Sequence, residues 1–384
     1  MGGGQLTGTV TVVDRDPSTG QPFVLINHKE ATYRCDERTR GAQLFTLGVG
    51  RQVYFEPAEL PPGRGGGGYV ARVSTVPAPS QVSCKPEHLG AAMFNWAFFP
   101  EYKSILETLK GLALPESWSC GGIDVLNNYL RYTFDRLQLE DKLCKNEKCA
   151  AFNTGLVDKN YEYIYMFFEK NAYNVPAWYF TGFAVGEERG SKKMLHNFYP
   201  LPAKAKYYTE VADCFYDLRL GPPMCDYEHI LEERVERLPG AFLSEHCPQG
   251  FQLLPGVLLA AMDLDMKKEY YDKLREAYQN DEKLSRRMKS RFKDAVALAM
   301  KKIEWNDRTV VPIYFPRKGK ISLLLPLALA DDSIVDTALV TEKTDAGAYV
   351  GNTILDLKTA YNSARLIARP DSGWLKPDES FALT

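Results

Sequence analysis

The sequence predicts an α+β protein, in which a small five-stranded β-barrel is followed by a larger mixed domain with antiparallel strands and several helices. Two observations predict this class. In the first eighty residues, short segments alternate apolar with polar side chains, as barrel strands do. After residue 87, segments of helical period are interspersed with short apolar runs bounded by turn residues. The chain has 384 residues, which is enough for two or three domains with a core each.

The composition restricts the class of partner. The chain has 47 Lys and Arg against 49 Asp and Glu, so an anionic partner has to be held by a local patch. No run approaches the ~20 apolar residues that span a bilayer, and the N-terminus lacks the features of a signal peptide. We therefore expect a cytoplasmic or nuclear protein with no membrane partner. The eight cysteines form no CxxC pair, which argues against a zinc ribbon.

Five segments carry the barrel pattern: GTVTVVD, PFVLIN, ATYRCD, RQVYFEP and GYVARVS. The region, residues 5 to 76, resembles a cold-shock domain of the OB-fold class. Gly8 opens the first strand as in that family, and residues 20 to 26 stand where it has a glycine-aromatic RNA-binding motif. The resemblance implies an OB-like barrel whose exposed aromatic side chains stack on bases.

Phe23 and Tyr33 are the predicted stacking residues of this barrel, with Arg34 beside them. Val12 and Val13 replace the aromatic pair that the family has on its first strand. A barrel that serves only to pack against the larger domain is therefore the alternative interpretation.

Residues 77 to 86 contain three prolines and little periodicity, which predicts a linker before a domain at 87–384. The pattern then predicts core helices over Gly90 to Leu112 and over Ile123 to Leu143. Two aromatic-rich segments, YEYIYMFFEKN and WYFTGFAV, predict half-buried strands.

The segment before these strands, Asn153, Thr154 and Gly155, is a candidate anion site because a tight turn can present backbone N–H groups. An ordinary turn is the alternative. Glu210, Asp213 and Asp217 have the spacing of one helical face, but solvated helices show the same spacing, so no metal site is predicted.

Two basic clusters are candidates for nucleic-acid binding. Lysines flank tyrosines in AKAKYY, which suits a phosphate backbone and its bases together, although a solvated loop explains them equally. A long helical region from Met266 to Lys302 carries an apolar stripe and, off that stripe, a dense run of cations. The predicted contacts are Lys204, Lys206, Tyr207, Arg286, Arg287, Lys289 and Lys293. A plain basic surface is the alternative for the second cluster.

The segment from Ile321 to Trp374 predicts three antiparallel strands followed by a helix that Asp356 caps. Tyr361 and Arg365 lie one turn apart on that helix. The candidate phosphate or ligand site combines Asn153, Thr154, Gly155, Arg237, Tyr314, Asn362 and Arg365. Ion pairing of the arginines near the helix end is the alternative.

Five motifs, AFNTGL, ILEERVERLP, VPIYFP, LLLPLAL and AYNSARLIARPDSGWL, resemble an uncharacterised domain family over about residues 90 to 376. That family occurs in bacteria and eukaryotes, sometimes joined to RNA-binding modules, and the resemblance implies a link to RNA metabolism.

The first hypothesis is an RNA-binding protein of RNA repair or processing, in which barrel and larger domain form a groove for single-stranded RNA. The alternatives are an enzyme that acts on phosphorylated RNA ends or nucleotides, which would take Mg²⁺ or Mn²⁺, and a scaffold for other proteins.

Overall fold

The computed structural model describes residues 6–17, 21–29, 31–36, 39–41, 49–50, 52–58, 68–74, 90–172, 175–186, 191–316 and 318–376. The chain is a mixed α+β protein with several sheets. It divides into two compact units, Met1–Ser80 and Gln81–Thr384. The predicted linker at residues 77 to 86 lies outside the described residues. Within them, no helix is long and apolar enough to span a bilayer.

The N-terminal unit is a sheet of short strands. They are β1 (Leu6–Arg15), β2 (Pro22–His28), β3 (Ala31–Cys35), β4 (Arg40–Gly41), β5 (Gln52–Ala58) and β6 (Gly68–Ser74). The sheet order is β3-β2-β1-β5-β6-β4, and β3 also pairs with β6 in parallel. Every second residue points to the core, so Val24, Ile26 and Phe55 are fully buried. Gly8 is required because a Cβ there would lie 2.4 Å from Ile26.

The C-terminal unit contains two five-stranded sheets. Its strands are β7 (Ala97–Phe98), β8 (Ser119–Cys120), β9 (Ile123–Asp124), β10 (Cys144–Lys145), β11 (Cys149–Val157), β12 (Tyr163–Lys170), β13 (Trp178–Val185), β14 (Met224–Cys225), β15 (Val311–Phe315), β16 (Lys320–Leu327), β17 (Thr337–Lys343) and β18 (Tyr349–Leu355). The first sheet has the order β10-β11-β12-β13-β7 and the second β14-β18-β17-β16-β15.

Nine α-helices are described along with them: α1 (Ala92–Trp96), α2 (Tyr102–Leu112), α3 (Val125–Leu139), α4 (Ser191–Asn197), α5 (Gly240–Glu245), α6 (Gly256–Ala261), α7 (Leu264–Gln279), α8 (Glu282–Trp305) and α9 (Leu357–Arg365). Helices α3 and α9 share one core with a face of each sheet. The other face of the second sheet packs against α7 and α8. Helix α4 covers the outer face of the first sheet.

The elements predicted between Ile321 and Trp374 are confirmed as β16, β17, β18 and α9. The carboxylate of Asp356 accepts a hydrogen bond from the Thr359 amide at 2.9 Å, which is the predicted N-cap. The helix ends at Arg365, before Pro370, because the chain turns at Leu366.

The helical region predicted from Met266 to Lys302 is observed as two long helices with one break, because Asp281 caps α8 through the Leu284 amide at 3.0 Å and so begins a new helix. The helix predicted over Gly90 to Leu112 is corrected, because β7 lies between α1 and α2. In α8 the predicted apolar stripe, including Met288, Phe292 and Ile303, is buried.

Candidate functional site

A cleft of about 850 Å³ lies at the C-terminal end of α8 and is called the Trp305 cleft. Three stretches that are distant in sequence line it, together with Pro326 of β16. Its lining residues are Lys301, Lys302, Trp305, Asn306, Arg308, Thr309, Pro326, Ser333, Ile334, Val335, Asp371, Ser372, Gly373 and Trp374. The cleft therefore exists only when the end of α8, the β16–β17 loop and the C-terminal segment are brought together.

Trp305 is the most exposed tryptophan of the chain, with 91% of its surface accessible. Its exposure follows from helix geometry. Ile303 ends the buried stripe of α8, and two residues further the helix has turned by ~200°, so the side chain of Trp305 faces away from the core. An exposed indole offers a flat apolar face on which an aromatic group of a ligand can stack.

Hydrogen bonds hold the turn that follows Trp305. The Asn306 side chain accepts from the Arg308 amide at 3.1 Å, and the Thr309 hydroxyl donates to the Lys302 carbonyl at 3.3 Å. From the C-terminal segment, the Trp374 indole N–H donates to the Thr309 carbonyl at 2.7 Å. The positions of the cleft residues on this turn are therefore set by the fold.

Three cations line the same wall: Lys301, Lys302 and Arg308. Lys301 and Arg308 are exposed and Lys302 is half-buried. In the part of the chain that the structure describes, none of the three forms an ion pair with a carboxylate. Their charges are thus available to an anionic ligand.

Arg291 holds the β16–β17 loop in place. Its guanidinium donates to the carbonyls of Ala328 and Leu329, each at 2.8 Å, and pairs with Asp332 at 2.7 Å. Asp336 accepts from the amides of Leu329 and Ala330, the latter at 2.8 Å, and burial raises the pKa of its carboxyl group. This network fixes the loop that carries the cleft residues at 333 to 335.

The predicted anion site at Asn153 to Gly155 lies within β11 and not in a turn. Asn153 and Thr154 are buried, and their side chains are bonded to the carbonyls of Pro202 and Ile164. Gly155 has a φ of +75° at a bulge, and the Asn153 side chain accepts from its amide at 2.8 Å. The segment shapes the core, since the Tyr129 hydroxyl donates to the Thr154 carbonyl.

The other predicted phosphate residues also have protein partners. Arg365 donates twice to Glu116, at 2.5 and 2.9 Å, and its guanidinium lies 4.9 Å from the Trp118 ring and 4.6 Å from the Tyr129 ring. This is the ion pairing that the alternative interpretation expected, with its partner 249 residues away.

Tyr314 is buried, and its hydroxyl accepts from Arg136 at 3.1 Å. Asn362 accepts from Asn128 at 3.2 Å, and Arg237 donates to the Thr353 hydroxyl. None of the seven predicted residues lines the Trp305 cleft.

In the first basic cluster, Tyr207 belongs to the core. Its hydroxyl is 3.1 Å from that of Thr133, and burial raises its pKa. Its ring is therefore not accessible to a base. The backbone of Lys206 is bonded to Glu140 and Arg136, and the Lys204 ammonium lies 5.5 Å from the Tyr163 ring centre.

Several residues of the second basic cluster contact other side chains of the protein. Arg286 pairs with Glu282 within α8. The ammonium groups of Lys289 and Lys293 lie 4.9 and 5.6 Å from the ring centre of Tyr227. Arg287 is exposed, and the described part of the chain gives it no partner.

In the N-terminal unit, the Arg34 guanidinium lies 4.3 Å from the Phe23 ring centre and pairs with Asp16 at 2.7 Å. Tyr33 instead packs on Phe55, with ring centres 4.7 Å apart. Phe23 and Arg34 are thus adjacent on the sheet surface, while Tyr33 leans toward the core.

The three carboxylates considered for metal binding do not share a helical face. Glu210 and Asp213 cap the 3₁₀ turn Val211–Cys214, and Asp217 pairs with Arg219 at 2.8 Å. The hydrogen bonds from Arg219 hold the pKa of Asp217 at about 2. Among the described residues, no group of three or more His, Cys, Asp or Glu is placed to hold a metal ion.

Sequence reasoning did not single out Lys301, Trp305 or Arg308. The run KKIEWNDR contains a signal for a binding site, because its tryptophan lies outside the apolar stripe of the helix and among cations. The pattern alone does not say that the segments at 333–335 and 371–374 meet this run.

Residues 109–374 match a family described as a domain of unknown function, DUF3825. The match covers more than half of the chain and includes every residue that lines the Trp305 cleft. No curated protein and no solved structure matches the chain.

Proposed function

We propose that this chain, which belongs to the DUF3825 family, binds single-stranded RNA in the Trp305 cleft. The observation that carries the proposal is one exposed tryptophan beside three cations that have no carboxylate partner among the described residues. A nucleotide has the matching chemistry, since its base is a flat apolar surface and its phosphate is an anion.

Stacking on Trp305 favours single-stranded RNA over double-stranded RNA as the ligand. A base can cover the Trp305 ring only if it is unstacked from its neighbours, and each such contact contributes ~1–3 kcal/mol. Lys301, Lys302 and Arg308 would then lie along the phosphates on the same wall. Since the chain as a whole is nearly neutral, this local cluster supplies the attraction.

The choice of RNA rests on the N-terminal unit. We infer that its sheet closes into an OB-like barrel of the cold-shock kind. The strand pairings support this inference, because β1, β2, β3, β6 and β5 each have a neighbour on both sides. Phe23, with Arg34 over its ring, would offer one stacking position on that barrel. The predicted enzyme on phosphorylated RNA ends stays a hypothesis.

The test is fluorescence anisotropy with a labelled eight-nucleotide RNA at several salt concentrations. Trp305→Ala should weaken binding by about 5- to 150-fold, the equivalent of one lost stack, and Trp305→Phe should restore part of it. Lys301→Ala should lower the slope of log affinity against log salt by ~0.7.

Lys268→Ala is the matched control, because Lys268 is an exposed lysine of α7 outside the cleft. It should leave affinity and slope close to those of the unmodified protein. Dissociation constants above ~10⁻⁴ M at low salt would refute the proposal. So would a Trp305→Ala protein that binds as tightly as the original, or tighter binding to DNA of the same sequence.

A further inference from the structure

One residue that lines the Trp305 cleft, Asp371, carries a carboxylate. Asp371 is exposed and, within the described part of the chain, forms no ion pair with the three cations that also line the cleft. Its position is set by its neighbours. Ser372 is buried and its carbonyl accepts from the Leu375 amide at 3.2 Å, while Trp374 is bonded to Thr309.

A carboxylate in a cleft that attracts phosphate restricts which part of a ligand lies beside it. An ionised carboxylate accepts hydrogen bonds and donates none, and it repels a phosphate at short range. The phosphates should therefore lie along Lys301, Lys302 and Arg308, and the atoms that approach Asp371 should be N–H or O–H donors.

The nucleotide offers two kinds of donor, the ribose hydroxyl and the base edge. The 2′-hydroxyl of an internal nucleotide is next to the 3′-phosphate, which the carboxylate repels. The Watson–Crick edge of the base is the part most distant from the phosphates, so it suits Asp371 better.

Among the four bases, guanine alone has two adjacent donors on that edge, N1–H and the N2 amino group. Two parallel donors match the two oxygens of a carboxylate. Uracil has one N–H between two carbonyls, and adenine and cytosine each place an acceptor beside their amino group. Those acceptors would face the Asp371 oxygens and be repelled.

We propose that Asp371 accepts hydrogen bonds from the N1–H and N2–H groups of a guanine that stacks on Trp305, so that the cleft selects guanine within single-stranded RNA. This inference rests on the proposed function, and it assigns base specificity to a residue outside the basic clusters.

The experiment compares three labelled RNAs by anisotropy: an octamer of uridine, and the same octamer with one guanosine or one inosine at its centre. A bidentate contact discriminates between bases by ~1–3 kcal/mol, so the guanosine octamer should bind about 5- to 150-fold more tightly than the uridine octamer. Inosine keeps N1–H and lacks the amino group, so its octamer should fall between the two.

Asp371→Asn removes the charge and replaces one acceptor with a donor. It should abolish the preference for guanosine while binding the uridine octamer no more weakly than the original protein. Asp307→Asn is the matched control, because Asp307 is an exposed aspartate on the turn that follows Trp305 and does not line the cleft. It should keep the preference.

The outcomes separate the two proposals. Equal, salt-dependent binding of all three octamers by the unmodified protein overturns the role of Asp371 and leaves RNA binding standing. A preference that survives in Asp371→Asn also overturns it. Failure to bind any octamer overturns the proposed function, and this inference with it.

Discussion

At the scale of single residues, one buried ion pair of the C-terminal unit joins two segments that are distant in sequence. The Glu116 and Arg365 side chains are 5% and 9% accessible and form a two-point ion pair beside Trp118 and Tyr129. Removing one partner of such a pair leaves the other charge buried, which costs more than the pair itself contributes.

Glu116→Ala should therefore lower the free energy of unfolding by ~3–5 kcal/mol, because the Arg365 guanidinium would be left without its carboxylate. The double variant Glu116→Leu with Arg365→Met should be much closer to the original protein, since it removes both charges. Urea unfolding followed by tryptophan fluorescence measures both. A loss below ~1 kcal/mol for Glu116→Ala would mean that water reaches the pair.

Asp135 makes a pH-dependent contribution to the free energy of unfolding. Its carboxylate accepts from the Gly90 amide at 2.6 Å, and burial raises its pKa from 3.8 to about 6. Between these two values the folded protein holds the proton more tightly than the unfolded chain, so the contribution of this group to stability increases as the pH falls from about 6 to 4.

Asp135→Asn lacks this titration. The difference in unfolding free energy between the original protein and the variant should shift in favour of the original as the pH is lowered from about 7.5, above the window, to about 4.5, near its lower end. Urea unfolding at the two pH values checks it. A pH-independent difference would show that Asp135 titrates alike in both states.

At the scale of elements, α8 does two things with its cations. Arg291 is turned toward the β16–β17 loop, where it bonds Ala328, Leu329 and Asp332. Further along the same helix, Lys301 and Lys302 face the cleft. Helix α8 thus positions the β16–β17 loop that lines the cleft, and its own C-terminal end also lines the cleft.

Arg291→Lys should loosen that loop although it keeps the charge, because an ammonium group does not reproduce the fork of a guanidinium. Amide hydrogen exchange at Leu329 and Ala330 should become at least about tenfold faster, and RNA should bind more weakly. Arg287→Lys is the control on the same helix, since it makes the same change and keeps the charge at a residue to which the described part of the chain gives no partner. Unchanged exchange in Arg291→Lys would contradict a positioning role.

At the scale of the whole molecule, the two units have separate cores. The N-terminal core consists of residues between Val10 and Val73, and those of the C-terminal unit begin at Met93. All five tryptophans belong to the C-terminal unit, so their fluorescence reports that unit alone.

We expect two unfolding transitions, with the smaller N-terminal core melting first. Far-ultraviolet circular dichroism, which records the strands of both units, should begin to change at a lower temperature than tryptophan fluorescence does. Coincident transitions by the two probes would contradict this and indicate that the units unfold together.

The sequence by itself determined the local elements of this protein. The stripe that ends at Ile303 predicted the buried face of α8, Asp356 predicted the start of α9, and alternation predicted β16 to β18. These signals are local because helix and strand periods repeat within a few residues. The mixed α+β class followed from them.

Only the tertiary structure decided which polar residues lie close to one another. Arg365 pairs with Glu116, which is 249 residues away in the sequence. Trp305 and Trp374 are the same type of residue, yet Trp305 is exposed and the Trp374 indole is hydrogen-bonded to Thr309. The cleft joins residues 301–309, 326, 333–335 and 371–374. Contacts between such distant segments depend on how whole sheets and helices pack, and periodicity within one segment does not record them.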